Sequence, residues 1–429
     1  MTNTFIEKTI LKLCDEPRDF GFLAKELFGL DPIALNETLS HLVKTKLLKI
    51  NDYKWVVKGY RYTKKKNAPK SRSVSKFTEN KIPYFNLFAK PHPLDFEWRY
   101  SLDTLNFICN SIWNSQNETH GILLLGMPSI FIASYYKKLP QKFTLIDNNK
   151  TILESIRNNI PITSNFEMIH ADIFDFQPKK IEKCETAFID PPWYNDHFHH
   201  FIWMAAQCVD IGGLLIMSVP PINTRPGLDK ERQEWFNFAE QQGFYLENLL
   251  CQKLEYVMPF FEFNAMRAAG LRDILPFWRK GDLATFRKLS SVDTKRPKKA
   301  TFVNNWAEIE IDGVRIRIGS GRPDEVNVPL SIHHLIKGDI LPSVSSRDPR
   351  RREPNIWTSG NRIFWTNQPM KFLQLITEFK KNSKNPTKDF KIVNSFLNYL
   401  VEIEKKEYLN YSEWLIYEME RQDIEKVNK

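Results

Sequence analysis

An acid, two prolines and an aromatic ring follow a short apolar run at Phe188-Ile189-Asp190-Pro191-Pro192-Trp193-Tyr194. Proline has no backbone N–H for a sheet ladder, so a strand over Thr186–Ile189 must stop at this point. Its tip then presents the Asp190 carboxylate, the Pro191 carbonyl and the Trp193 ring. Such a set suits a flat ring bearing an amino group. The carboxylate and the carbonyl accept its two N–H bonds, and the indole stacks on the ring face. Asp190, Pro191, Pro192 and Trp193 are therefore the candidate catalytic residues, with Tyr194 and His197 just beyond them as candidate substrate contacts. A turn that only closed a buried strand would need neither the acid nor the indole.

Two more acids end strands upstream. Phe143–Ile146 runs into Asp147, and Glu167–His170 leads to Ala171-Asp172. In an open α/β sheet, ligands bind beyond the carboxyl ends of the strands, and an acid ending the second strand is placed to accept both ribose hydroxyls. Asp172 is placed to take the exocyclic amine of an adenine. The first strand, Ile122–Leu125, ends in Gly126-Met127-Pro128-Ser129 at a helix N-terminus. Gly126 permits close backbone approach, and Ser129 is expected to cap the helix. One glycine and a proline make a poor cradle for the pyrophosphate of NAD or FAD. S-adenosylmethionine carries no phosphate, and its carboxylate needs only the helix N-terminus.

With these residues in view, the segment from about 121 to 270 resembles a class I S-adenosylmethionine-dependent methyltransferase of the amino-methylating group. Asp190-Pro191-Pro192-Trp193 is similar to that group's [DN]-P-P-[FYW] motif. Gly126-Met127-Pro128-Ser129 departs from the usual Gly-rich first motif and looks more like the G/C-x-P-[ST] variant of the N6-adenine methyltransferase-like branch. The resemblance implies that Gly126, Pro128, Ser129 and Asp147 hold the cofactor, Asp172 its adenine, and Asp190 to Trp193 the target amine. A helical domain ahead of such a segment also resembles branched-chain polyamine synthases, although the acid-rich turn those enzymes carry after the first strand is missing.

The elements that must position these groups follow from pattern. Strands alternating with helices from Gly121 predict a mostly parallel sheet covered on both faces, a Rossmann-like α/β domain, closed by a late antiparallel strand. Residues 1–58 read as three short helices and a hairpin, a winged-helix-like domain that leaves nucleic-acid contact and protein contact equally open. Residues 59–82 form a basic linker in which Lys64, Lys65 and Lys66 are candidate phosphate contacts. The methyltransferase-like domain is expected over 83–270, with the loop from Pro91 to Arg99 as a candidate lid. Residues 271–429 read as a C-terminal α+β extension with a second basic connector through Arg279-Lys280 and Arg287-Lys288. A hairpin around Asp312-Gly313 should carry Glu308, Glu310, Arg315 and Arg317 on exposed positions. Arg350 and Arg351, beside Trp357, are further candidate substrate contacts.

Composition narrows the classes. The chain has 429 residues and a net charge of +10, which permits a polyanionic partner. Its five cysteines contain no Cys-x-x-Cys pair, so they are expected as reduced thiols of a cytoplasmic protein. No apolar run is long enough for a bilayer span. The His197-Phe198-His199-His200 run lacks companions for a metal site, and none is expected. The leading expectation is transfer of a methyl group to adenine N6 in DNA or RNA. Lysine methylation or aminopropyl transfer, and a non-catalytic nucleic-acid-binding scaffold with a degenerate cofactor site, are the alternatives. The oligomeric state is left open.

Overall fold

The computed structural model describes residues 4–27, 29–58, 87–113, 121–161, 163–298, 306–319, 323–325, 327–381 and 387–427. The chain divides into two units. The first is Met1–Ala89, Arg99–Val257 and Phe277–Ala300, and the second is Lys90–Trp98, Met258–Pro276 and Thr301–Lys429.

The first unit opens with helices α1 (Thr4–Leu13), α2 (Phe20–Glu26) and α3 (Pro32–Lys44) and the hairpin β1 (Leu48–Asn51) and β2 (Lys54–Val57). Asp19 and Asp31 accept the free N–H groups at the starts of α2 and α3. Ile10, Leu23, Leu35, Leu39, Leu42 and Val56 are among the residues that fill its interior. The turn of the hairpin places Asp52 and Tyr53 at positive φ, the geometry of a tight two-residue connection.

The sheet of this unit follows. Its elements are β3 (Arg99–Tyr100), α4 (Leu102–Trp113), β4 (Gly121–Leu125), α5 (Pro128–Tyr136), β5 (Lys142–Asp147), α6 (Lys150–Asn159), β6 (Phe166–His170), β7 (Cys184–Ile189), α7 (Asn195–Cys208), β8 (Val209–Val219), α8 (Leu228–Gln241) and β9 (Phe244–Val257). The last strand, β10 (Lys280–Lys288), joins after an excursion into the second unit. The spatial order is β3-β9-β10-β8-β7-β4-β5-β6. The five strands from β8 to β6 run parallel, while β10 pairs antiparallel with both β8 and β9. Central strands covered on both faces need near-continuous apolar sequence, and Leu123, Leu124 and Leu125 of β4 are all buried. On one face α7 and α8 meet through Phe198 and Trp235, stacked at 3.7 Å.

Two expectations about this region are corrected. The apolar pattern starting at Phe244 implies a strand that stops at Leu250, but the strand runs for 14 residues to Val257. The domain is expected to end at 270, yet the sheet takes β10 from the stretch whose charges suggest a basic connector. Charge conceals the strand. Leu283, Ala284 and Phe286 are buried, whereas Arg287 pairs with Glu247 and Lys288 donates to the Ala206 and Val209 carbonyls.

The second unit holds α9 (Phe260–Ala268), β11 (Trp306–Ile311), β12 (Val314–Gly319), β13 (Ile332–His334), β14 (Ile356–Thr358), β15 (Ile363–Thr366), α10 (Pro369–Lys380) and α11 (Lys388–Val427). Its five strands form a sheet in the order β11-β12-β14-β15-β13, with every pairing antiparallel. Ile316, Ile318, Phe364, Phe372, Leu397 and Leu400 belong to one apolar core. Here the hairpin charges depart from expectation. Arg315 is 1 % exposed and bonds Asp95 at 2.6 Å and Glu308 at 2.8 Å, and Arg317 bonds the same two acids. The loop expected as a lid is thereby pinned within this unit, because a buried guanidinium needs its carboxylates. His92 of the same loop is buried neutral against the Trp357 carbonyl, burial and the two arginines holding its pKa well below the usual value. Among the described residues, no helix is long and apolar enough to cross a membrane.

Candidate active site

Four adjacent parallel strands, β6, β5, β4 and β7, end on the same rim of the first unit's sheet. Asp172 follows β6, Asp147 ends β5, Gly126 follows β4 and Asp190 follows β7. Gly126 has φ +66°, and its N–H donates to the Ile146 carbonyl at 3.0 Å. A Cβ there would lie 3.5 Å from the Phe201 ring and 3.6 Å from the Asp190 carbonyl, so the positive φ rather than crowding calls for glycine. Pro128 opens α5 as its first residue. Ser129 does not cap the helix as expected. Met127 occupies the cap position without a side-chain bond, and Ser129 is buried one residue into the helix.

Asp147 Oδ1 accepts the Asn149 N–H at 2.8 Å, and Asp172 Oδ1 accepts the Phe174 N–H at 3.0 Å. Each carboxylate is thus oriented by its own turn. Asn149 in turn caps α6 by accepting from the Ile152 N–H. His197 bonds Asp196 at 3.0 Å and packs edge-on against Phe174. Tyr194 lies at the start of α7, its N–H donating to the Pro192 carbonyl at 2.6 Å. His200 is buried; its Nδ1 bonds the Asp196 carbonyl at 2.7 Å, and its Nε2 has no hydrogen-bond partner among the described residues. The His200 ring lies 4.3 Å from that of Phe174.

Asp190 is enclosed by protein on most sides while part of the residue keeps access to solvent. Tyr100 donates to its Oδ2 at 2.7 Å, and the Tyr256 hydroxyl donates to both oxygens at 3.1 Å. Ser218 Oγ lies 2.6 Å from the Tyr256 hydroxyl. Burial pushes the Asp190 pKa up to about 6, against the pull of the hydroxyl donors and of the Arg279 charge. Both tyrosines titrate well above their ordinary range, because they are buried beside that carboxylate, and they remain hydroxyl donors. Trp193 is partly exposed and meets Tyr256 edge to face. The Arg279 guanidinium lies 5.3 Å from the Trp193 ring centre and 4.6 Å from that of Trp278. Arg225 donates to the Trp193 carbonyl at 3.0 Å.

Tyr100, Ser218, Tyr256 and Arg279 carry no signal of this role in the sequence. Tyr100 sits in a strand of two residues, and Tyr256 lies beyond the expected end of its strand. Lys64, Lys65 and Lys66 lie outside the described residues. Arg350 and Arg351 belong to the second unit, where Arg350 is paired with Asp348 and Arg351 lies over the Trp357 ring.

No protein-family model matches the sequence, and neither does a curated protein. Solved structures do. The branched-chain polyamine synthase of Thermus thermophilus, in complex with N4-aminopropylspermidine and 5'-methylthioadenosine, aligns over 68% of this chain and 88% of its own, at 14% identity and TM-score 0.52. Its C9 variant aligns equally well. The chain shares that fold. Its first unit carries a mostly parallel, Rossmann-like sheet. Magnesium protoporphyrin IX methyltransferase from Synechocystis, solved with bound S-adenosylmethionine, aligns over 43% of this chain and 78% of its own at 9% identity, with a TM-score of 0.30.

Proposed function

We propose that the chain is an S-adenosylmethionine-dependent N-methyltransferase whose target is an exocyclic amine, adenine N6 in a nucleic acid. The observation that carries the reading is Asp190-Pro191-Pro192-Trp193 at the carboxyl end of β7, on the rim that also bears Gly126, Asp147 and Asp172. The donor set fits the cofactor. Asp147 suits ribose hydroxyls, the α5 N-terminus lacks a side-chain cap and suits a carboxylate, and Asp172 suits an adenine amine. The orphaned His200 Nε2, packed near the Asp172 turn through Phe174, is a further acceptor on the same side.

S-adenosylmethionine would supply an electrophilic methyl group on a sulfonium. The chain's own part is to aim a weak nucleophile and keep water away. Asp190 and the Pro191 carbonyl accept from the amine and localise its lone pair. The proton that the amine must shed on accepting the methyl group would pass to Asp190, the carboxylate it already faces. Trp193 offers a flat face for a base. A target within a duplex must be flipped out to reach such a rim.

A second reading, aminopropyl transfer to a polyamine, draws on the fold shared with the Thermus synthase. Arg279 weighs against it, because a guanidinium beside Trp193 and Asp190 disfavours a flexible polycation.

Calorimetric titration with S-adenosylmethionine should give measurable binding that Asp147→Ala weakens strongly and Asp190→Ala leaves nearly intact. Radiolabelled methyl transfer to pooled DNA, RNA and protein should label nucleic acid. Asp190→Ala should lower that rate by roughly two to three decades, as expected for losing a charged acceptor in a dry site. Label in protein alone would replace the adenine assignment. Transfer from decarboxylated S-adenosylmethionine to spermidine, with none from the intact cofactor, would favour the second reading.

A further inference from the structure

Asp190 is held by three parts of the sheet that are far apart in sequence. Tyr100 comes from β3 and Tyr256 from β9, and the two are directly paired in the antiparallel register of those strands. Their rings stack at 4.7 Å, which brings both hydroxyls to one carboxylate. Ser218, from β8, takes up the second side of the Tyr256 hydroxyl. Room for that approach is made by a glycine: a Cβ on Gly281, from β10, would sit 3.2 Å from Ser218 Oγ and 3.2 Å from the Tyr256 ring. β3 is only two residues long, and its other residue, Arg99, is anchored to the Ala89 carbonyl at 2.5 Å and lies over the Phe88 ring. A two-residue strand fastened this way contributes little to a sheet beyond delivering Tyr100.

We propose that Tyr100, Tyr256 and Ser218 form a hydroxyl clamp that orients Asp190 and fixes it as the acceptor of the amine proton. The two tyrosine protons, that of Tyr256 shared between both oxygens, leave the carboxylate room to accept a further N–H, since a carboxylate has roughly four acceptor sites. The clamp therefore sets both the direction from which an amine approaches and the pH at which the acceptor is charged. The charged and titratable groups facing Asp190 are Tyr100 from β3, Tyr256 from β9 and Arg279 just before β10, and the Ser218 hydroxyl faces it as well. Each hydroxyl favours the carboxylate, so removing one makes the carboxylate harder to ionise.

The clamp rests on the reading of Asp190 as proton acceptor, and its first test does not need that reading. In the unliganded protein, the Asp190 titration can be followed by carbon NMR of labelled aspartate, with Asp190→Asn identifying the signal. The midpoint, about 6 in the wild type, should rise by about one pH unit in Tyr256→Phe, and further in the double variant with Tyr100→Phe. Phenylalanine keeps the stacked rings, so the fold should survive, which a thermal melt checks. Gly281→Ala, which crowds Ser218 and Tyr256 without touching Asp190, should move the midpoint the same way by less. An unmoved midpoint in the double variant overturns the proposal, with or without detectable methyl transfer. In the second test, transfer to an adenine-containing oligonucleotide should show its acid limb displaced by the same interval, with kcat reduced more than KM is raised. A slower rate with an unmoved acid limb would make the hydroxyls mere packing and would also overturn it. If the midpoint shifts as expected while the wild type transfers to no substrate at any pH, the orientation of Asp190 by the hydroxyls stands, and the proton-acceptor role is overturned together with the methyl-transfer reading.

Discussion

A carboxyl group enclosed as Asp190 is enclosed costs stability whenever it is ionised. Its folded pKa of about 6 lies above the ordinary value of 3.8. Between those values the folded state holds a proton that the unfolded chain has released, so stability falls as pH rises through this window and is level above it. The cost is on the order of 3 kcal/mol for a shift of about two units. Asp190→Asn keeps the shape and removes the charge. It should therefore melt several degrees higher than the wild type at about pH 8 and nearly the same at about pH 4, by thermal scans across that range. A gain of this kind at the price of activity marks a group kept for chemistry rather than for folding. A variant less stable than the wild type at pH 8 would mean that the hydroxyl donors outweigh the burial.

At the scale of elements, β10 shows what was legible and what was not. The motif residues are legible because each sits at the carboxyl end of a short apolar strand, and parallel strands bring those ends to one rim even where β7 lies beside β4 instead of β6. Asp147, Asp172 and Asp190 therefore reach one rim, as their spacing implied. β10 alternates poorly, since Lys280, Arg287 and Lys288 interrupt Leu283 and Phe286, and it inserts next to strands that precede it by tens of residues. Tyr100 and Tyr256 leave no trace in the sequence for a related reason: only pairing across the sheet brings them to Asp190. The alternation around Asp312-Gly313 specifies the hairpin as local geometry. It carries no sign of Asp95, the distant partner with which Arg315 is buried. Lys288 offers a test of how closely β10 is fitted. Burial holds its pKa below the usual lysine value, and its ammonium caps the end of α7 through the Ala206 and Val209 carbonyls. Lys288→Met should cost about 1–3 kcal/mol in urea unfolding, because two carbonyls lose their donor. An unchanged urea midpoint would show that water replaces the lysine freely.

At the scale of the whole molecule, the net charge of +10 is concentrated in part between Lys58 and Lys76, where eight cations occur without an acid. If this stretch tracks a phosphate backbone, replacing Lys64, Lys65 and Lys66 by alanine should weaken oligonucleotide binding. It should also flatten the salt dependence, by up to about 0.9 in logarithmic slope for each phosphate that is no longer neutralised. An unaltered slope in a fluorescence-anisotropy titration would limit these lysines to solvating a linker. The late position of β10 has another consequence, in the order of synthesis. While the ribosome has made no more than about the first 280 residues, β8 and β9 lack the strand that will lie between them, so each has an open edge. Open edges pair readily with other chains, and folding that waits on distant partners is slow. A nascent chain must therefore keep two strands of its own sheet apart, unpaired and unaggregated, while the residues of α9 are made and the sheet-closing strand follows. A chain stopped at residue 270 is frozen in that state and should be recovered as aggregate, whereas full-length protein made under the same conditions should be soluble.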